Sequence, residues 1–467
     1  MKKIILSLIC FIIPLAYAQF SPMGKLDPKL RWWTLESEHF AVHFSEQDSQ
    51  ETQQELARAI VWYCEDAHRK LSSFMNWQVK QKTNVVLGDF YDYVSGWAMP
   101  FPNNTIFICP TFDRDMRVNF YDWLSQLIIH EYTHILNMDM GYGLAGFFRK
   151  IFGRIIIPNT LMPLFMHEGF TVYNETKFTG MGRSKSSYYK MMMRANVLDN
   201  NFFPIDKCVT YNLAQFPSGE TPYFYGSQFY EYLAKNYGDT MLSKYVNYLS
   251  GGLPLFYNSQ AKRVFKKSLY QLWQDYKQYA SDQYQNQIWE IQTKPLTQSI
   301  QITKDGFYHQ SPIFSKDAHK IYFIKKTNYQ EPVIIESDLI SKKSQSILKK
   351  HISSPIRLSA QGDKLIFSIR DYYQNYYYFD DIYLFDLNAH KLQRVSKGLR
   401  ASDADISPDN RQIVFVANQS GQTNLCLMEL ETKKISYLTH SEDLTQYAQP
   451  RFSNDGSKIA FAEWKKG

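Results

Sequence analysis

A tight-turn motif occurs four times in the last third of the chain, and it limits the fold more than any other feature. Ser315-Lys316-Asp317 leads into Lys320-Ile321-Tyr322-Phe323, and Ser359-Ala360-Gln361-Gly362-Asp363 into Lys364-Leu365-Ile366-Phe367. Ser407-Pro408-Asp409 leads into Gln412-Ile413-Val414-Phe415, and Ser453-Asn454-Asp455-Gly456 into Lys458-Ile459-Ala460-Phe461. The serines recur every 44 to 48 residues. Each copy reads as a strand, a Ser/Asp turn and a returning apolar strand. Residues 381–386 and 425–430 fit the strand that follows. That period is the length of a four-stranded propeller blade, whereas a generic β-meander needs no fixed period.

With 467 residues, 44% of them hydrophobic, the chain can build two or more cores. Its character changes near residue 295. Before that point helical periodicity marks 51–74, 121–138, 227–249 and 260–288. Strand-like runs lie at 33–44, 83–87 and 105–109, the last two separated by a Gly/Pro/Asn-rich stretch, 96–104. The expectation is a multidomain chain: a signal peptide over 1–18, an α+β domain over 19–292, and an all-β repeat region over 293–467.

The signal peptide rests on Lys2 and Lys3, the apolar run 4–15, and Ala16-Tyr17-Ala18, which places cleavage after Ala18 and Gln19 first in the mature chain. The run is too short to span a bilayer. Cys10 lacks the small preceding residues of a lipidated cysteine. The expected location is therefore exported, periplasmic or secreted, with a retained anchor as the alternative. Four cysteines remain after cleavage, Cys64, Cys109, Cys208 and Cys426, with no CxxC pair. One disulfide is open to them, but not a disulfide scaffold. A net charge of +7 without a basic stripe argues against a nucleic-acid partner.

Candidate chemistry lies in His130-Glu131-Tyr132-Thr133-His134. On a helix, residues four apart share a face, so both imidazoles can reach one Zn²⁺, with Glu131 beside them as general base. A peptidase zinc takes a third protein ligand, expected from a second helix. Met166-His167-Glu168-Gly169-Phe170-Thr171-Val172-Tyr173-Asn174-Glu175 is the candidate.

This pair of motifs resembles the aminopeptidase-N-like gluzincins, whose second helix carries Asn-Glu-Gly-aromatic and then a further Glu. The resemblance implies a zincin-like domain with Glu168 as third ligand and Glu175 as a carboxylate that orients a ligating imidazole. His167 stands where the family has Asn; it is the fallback ligand. Pro222-Tyr223-Phe224-Tyr225-Gly226 resembles the family's Pro-Tyr-x-x-Gly stretch. By that match Tyr223, with Tyr225 second, donates to the oxyanion. Ser95-Gly96-Trp97-Ala98-Met99-Pro100 sits where these enzymes place a substrate-pairing strand. The exopeptidases carry a Glu there; Pro100 replaces it, which favours an endopeptidase. Asn137 and Asp139 either support the ligands or cap the helix. Other charged residues are expected on the surface.

Between His134 and Glu168 lies a longer interval than the family's. The extra stretch, Met140 to Pro163, is apolar and basic together. Over 146–158 it reads either as a membrane-contacting or substrate-covering insertion, or as a loop and short helix packed on the core with its Arg and Lys solvated. The four repeats resemble TolB-type WD40-like propellers, which have six or more blades, so the ring is expected to be truncated or closed otherwise. Together the resemblances imply a zinc endopeptidase acting on peptides or proteins in the cell envelope, its propeller a substrate or partner platform. An inert binding protein working through the propeller is the alternative.

Overall fold

The computed structural model describes residues 27–45, 50–93, 95–111, 122–213, 215–252, 255–419, 421–441 and 445–465. The expected signal peptide lies outside them.

The first body combines a five-stranded sheet with nine α-helices among the described residues. Strands β1 (Trp32–Glu36), β2 (Phe40–Ser45), β3 (Thr83–Leu87), β4 (Ser95–Met99) and β5 (Thr105–Cys109) lie in the order β1-β2-β3-β5-β4. The β2, β3 and β5 strands run parallel; β1 and β4 are antiparallel at the edges. The run 33–44 is thus two strands, because Ser37 to His39 turn the chain and Ser37 N–H donates to the Phe40 carbonyl. The stretch 96–104 likewise supplies most of an edge strand, β4.

Helix α1 (Gln50–Met75) links β2 to the parallel β3. Its buried Leu56, Ile60, Cys64, Ala67, Leu71 and Met75 recur every three or four residues and form one apolar stripe. Helix α2 (Trp123–Asp139) starts at Asp122, whose carboxylate accepts from the amides of Leu124 and Ser125. Then come α3 (Gly143–Phe152), α4 (Leu164–Thr179), α5 (Ser187–Leu198), α6 (Thr221–Tyr237), α7 (Asp239–Gly251), α8 (Tyr257–Phe265) and α9 (Leu269–Gln292). Two expected long helices are each divided. Gly238, at φ +83°, separates α6 from α7. A Ser268–Gln271 capping box begins α9 after Lys266 has turned left-handed at the end of α8.

Helices α4 and α6 touch backbone to backbone. A Cβ on Gly169 would lie 2.4 Å from the Gly226 carbonyl carbon, and one on Gly226 would lie 2.2 Å from the Phe165 oxygen. Only glycine fits either place, and the close crossing sets α6 beside the helix that carries Glu168.

The second body is all β. Its first sheet is β6 (Tyr308–Phe314), β7 (Lys320–Lys326), β8 (Val333–Asp338) and β9 (Ser344–Lys349). The next is β10 (Arg357–Leu358), β11 (Lys364–Tyr373), β12 (Tyr377–Asp386) and β13 (Lys391–Arg394). The third is β14 (Ala401–Ile406), β15 (Gln412–Gln419), β16 (Gln422–Glu429) and β17 (Ile435–Tyr437), and a pair follows, β18 (Gln446–Phe452) and β19 (Ile459–Trp464). Each four-stranded sheet is an antiparallel meander in sequence order, the form of a propeller blade. Every expected turn lies between the first and second strands of its sheet. The serine hydroxyl oxygen accepts from the amide five residues on: Lys320, Lys364, Gln412 and Lys458, at 2.9 to 3.0 Å. The hydroxyl donates to Asp317, Asp363, Asp409 and Asp455 at 2.5 to 2.7 Å.

The two bodies join at the turn after β3. Arg400, 4% exposed, reaches Asp89 at 2.6 Å and Asp92 at 2.8 Å, its guanidinium 4.6 Å from the Phe379 ring centre. Asp92 also accepts from the Asp380 amide and from Asn418. The Tyr378 amide donates to the Phe90 carbonyl, and the Asp92 amide donates to the Tyr378 carbonyl. These arginine and aspartate side chains are therefore interior groups, contrary to the expectation of surface charge. Cys64, Cys109, Cys208 and Cys426 are all buried and unpaired, so the disulfide left open by the sequence is not formed.

Candidate metal centre

Helices α2 and α4 bring His130, His134 and Glu168 together. Their ligand atoms all lie within 4.8 Å of one another, and among the described residues this is the only such His/Cys/Asp/Glu group. Glu168 Oε2 lies 3.3 Å from His134 Nε2 and 3.5 Å from His130 Nε2. It is buried without a well-formed hydrogen bond. Two imidazoles beside a buried carboxylate whose Oε2 is unsatisfied are the kind of donor set that Zn²⁺ takes with three protein ligands.

Glu175, two turns after Glu168, lies beneath His130, its Oε2 3.0 Å from Nδ1. Arg183, from the turn before α5, grips Glu175 through Nε at 3.0 Å and NH2 at 2.7 Å. Burial acts to raise the Glu175 carboxyl, but the Arg183 charge and hydrogen bonds from His130 and Arg183 hold it down, at about 2. Burial and Arg183 disfavour a charge on His130, yet Glu168 and Glu175 outweigh both and raise it to about 9. A proton and a cation compete for such an imidazole, so metal binding there releases protons. Glu168 is pushed up by burial but held well below the usual range by His134 and His130.

Glu131 is 4% exposed, and burial pushes its carboxyl above the usual value. Edge strand β4 runs directly past it: a Cβ on Gly96 would lie 2.8 Å from Glu131 Oε1. That close approach accounts for glycine at this position. Among the described residues, the β4 strand has a neighbour, β5, on one side only.

Tyr223, in the first turn of α6, has its ring centre 6.3 Å from that of His130, with the Arg183 guanidinium 4.9 Å over its face. Burial keeps its hydroxyl protonated far above the ordinary value. Tyr225, the second choice, belongs to the core: it is fully buried and its oxygen accepts from the Phe203 amide. His167 is not among the converging residues: its ring centre lies 6.2 Å from that of His134, its Nδ1 lies 3.5 Å from Asn137 Nδ2, and burial together with the His134 charge lowers it to about 4. Asn137 accepts from Asn159, and Asp139 from Trp77. Neither residue touches the cluster.

Two site residues were not anticipated. Tyr211 donates its hydroxyl to Glu168 Oε1, and Arg183 joins Glu175 and Tyr223. Tyr211 is one of 34 tyrosines, in an irregular stretch, and nothing local distinguishes it. Arg183 could have been sought as the partner a buried Glu175 requires.

The site opens toward the second body. A cavity of about 920 Å³ has Arg183, Tyr189 and Tyr223 on one wall and Lys326, Arg357 and Arg370 on the other.

No family model matches the sequence, and no curated protein does. Solved structures match about a third of it. TolB from Acinetobacter baumannii is 21% identical over 34% of this chain and 39% of that one, with a TM-score of 0.30. A putative TolB from Agrobacterium tumefaciens is 21% identical over 33% and 53%, with a TM-score of 0.28. The β-propeller domain of the Trilobed protease from Pyrococcus furiosus is 13% identical over 34% and 55%, with a TM-score of 0.25. The chain thus spans between 39% and 55% of the length of these three proteins.

Proposed function

We propose that this protein is an exported zinc endopeptidase of gluzincin type, with a zincin-like first domain, whose TolB-like strand-rich second body serves as a platform for substrate or partner. The observation that carries the reading is the convergence of His130, His134 and Glu168 on one buried point beside Glu131. When bound there, Zn²⁺ supplies Lewis acidity toward a carbonyl oxygen and lowers the pKa of water. His130, His134 and Glu168 would hold the ion. Glu175, braced by Arg183, fixes the His130 ring so that Nε2 faces the centre. Glu131 takes a proton from the attacking water and passes it to the leaving amine nitrogen. The Tyr223 hydroxyl, kept protonated by burial, donates to the oxyanion that develops on the scissile carbonyl. The edge of β4 away from β5, unpaired among the described residues, offers main-chain groups to an extended peptide. Residues 95–104 contain no Asp or Glu to hold a substrate amino group, which supports cleavage at internal bonds.

The purified protein should hold about one zinc per chain, and His134→Ala or Glu168→Ala should reduce it to background by elemental analysis. Wild type without zinc after incubation with the metal would end the metallopeptidase reading. A peptide library should be cut at internal bonds, and stepwise removal of N-terminal residues would end the endopeptidase assignment.

A further inference from the structure

Helix α3 is built inside out. Two arginines face the protein: Arg149 bonds the Asp139 carboxylate at 3.0 Å, and Arg154, just beyond the helix, reaches the same carboxylate at 3.2 Å and the Pro100 carbonyl at 2.8 Å. Its apolar side chains face solvent. Phe147, Ile151 and Phe152 are each 57% exposed, Phe148 is exposed beside them, and Ala145 is the only residue of the helix that is buried. The expected alternative, a helix packed on the core with its arginines solvated, is thus reversed by Asp139, which draws both guanidiniums inward.

The exposed surface does not end with the helix. The Tyr142 amide donates to the Ser250 carbonyl, and the Tyr257 hydroxyl to the Leu161 carbonyl, which brings the end of α7 and the start of α8 alongside. Just before α8, Leu255, 72% exposed, and Phe256 add to the surface, and Leu161 is exposed at the join. Soluble proteins rarely leave an apolar patch of this extent uncovered without a use for it.

The charge around the patch indicates what covers it. Residues 140–163 and 249–268 carry seven Lys and Arg and no Asp or Glu. Lys150, Lys262, Arg263 and Lys266 are exposed. A second copy meeting this face about a two-fold axis would bring like charges together. A leaflet rich in anionic lipid satisfies both features, accepting the aromatic and aliphatic side chains below the headgroups and pairing the cations with phosphates. No described helix is long and apolar enough to cross a membrane. We infer that α3, together with Leu161, Leu255 and Phe256, forms a docking surface for an anionic bilayer. Asp139, which anchors the platform, lies five residues after His134, so docking holds the cleft close to the lipid surface.

Vesicle sedimentation tests this on the protein in its exported form. Vesicles containing phosphatidylglycerol should bind it at least about tenfold more tightly than phosphatidylcholine alone, with the difference fading in high salt. Phe147→Ser with Phe152→Ser should weaken binding at least about tenfold at unchanged thermal stability, both side chains being exposed. Lys150→Glu should weaken binding to the anionic vesicles alone. Failure of the wild type to bind phosphatidylglycerol vesicles, or equal binding by the double variant, would overturn the inference. So would a dimer in light scattering that the double variant dissolves, since the face would then be a contact between copies.

Discussion

Replacing Glu131 with Gln should leave about one zinc per chain and lower peptide hydrolysis by about 10²- to 10⁴-fold. The substitution is nearly isosteric, and the side chain is not among the three converging ligands, so the metal should stay. What is lost is proton acceptance. A carboxylate beside two imidazoles would ordinarily be too weak a base, but burial pushes this one up toward the range where it can take a proton from water and return it. Metal analysis and cleavage of a peptide library, run on one preparation, separate the outcomes. A variant that keeps its zinc and cleaves normally would place the base on another residue. A variant that loses zinc would show that Glu131 supports the ligand cluster itself.

The second large effect is expected at the junction of the two bodies. Arg400→Ala removes a buried cation and leaves Asp89 and Asp92 facing each other in the interior. Breaking a buried ion pair from one side costs about 3–5 kcal/mol, so the denaturation midpoint should fall and the strand-rich second body should unfold as a separate transition. Combining Arg400→Leu with Asp89→Asn and Asp92→Asn should recover much of the loss, because no uncompensated charge remains. Chemical denaturation followed by circular dichroism measures both. A loss below about 1 kcal/mol for the single variant would mean that water reaches the two carboxylates.

The difference between what could and could not be read from the residues is physical. Residues 83–87 and 105–109 form strands with the expected limits, and the four serine turns hold because each closes through its own next five residues. The pair His130 and His134 follows from helix geometry alone. Glu168 required a second helix packed at the right place, and the sequence marks that place only through glycines. Gly169 and Gly226 are the visible trace of the α4–α6 contact, yet neither names its partner. Arg183, Tyr211 and Arg400 were not legible, because each is defined by groups that the fold brings from a distance. The orientation of helix α3 stays open in the sequence for the same reason: its sequence is amphipathic, and Asp139 decides where Arg149 turns.

The four unpaired cysteines give the molecule a built-in set of unfolding reporters. Cys64, Cys109 and Cys208 lie in the first body and Cys426 in the third sheet of the second. Burial raises every one of these thiols, Cys109 and Cys426 to about 12, so none reacts while its surroundings stay closed. Alkylation therefore keeps time with opening rather than with thiol chemistry. If the bodies open independently, Cys426 should be modified at a rate of its own in mass spectrometry, and one shared rate would show that they open together.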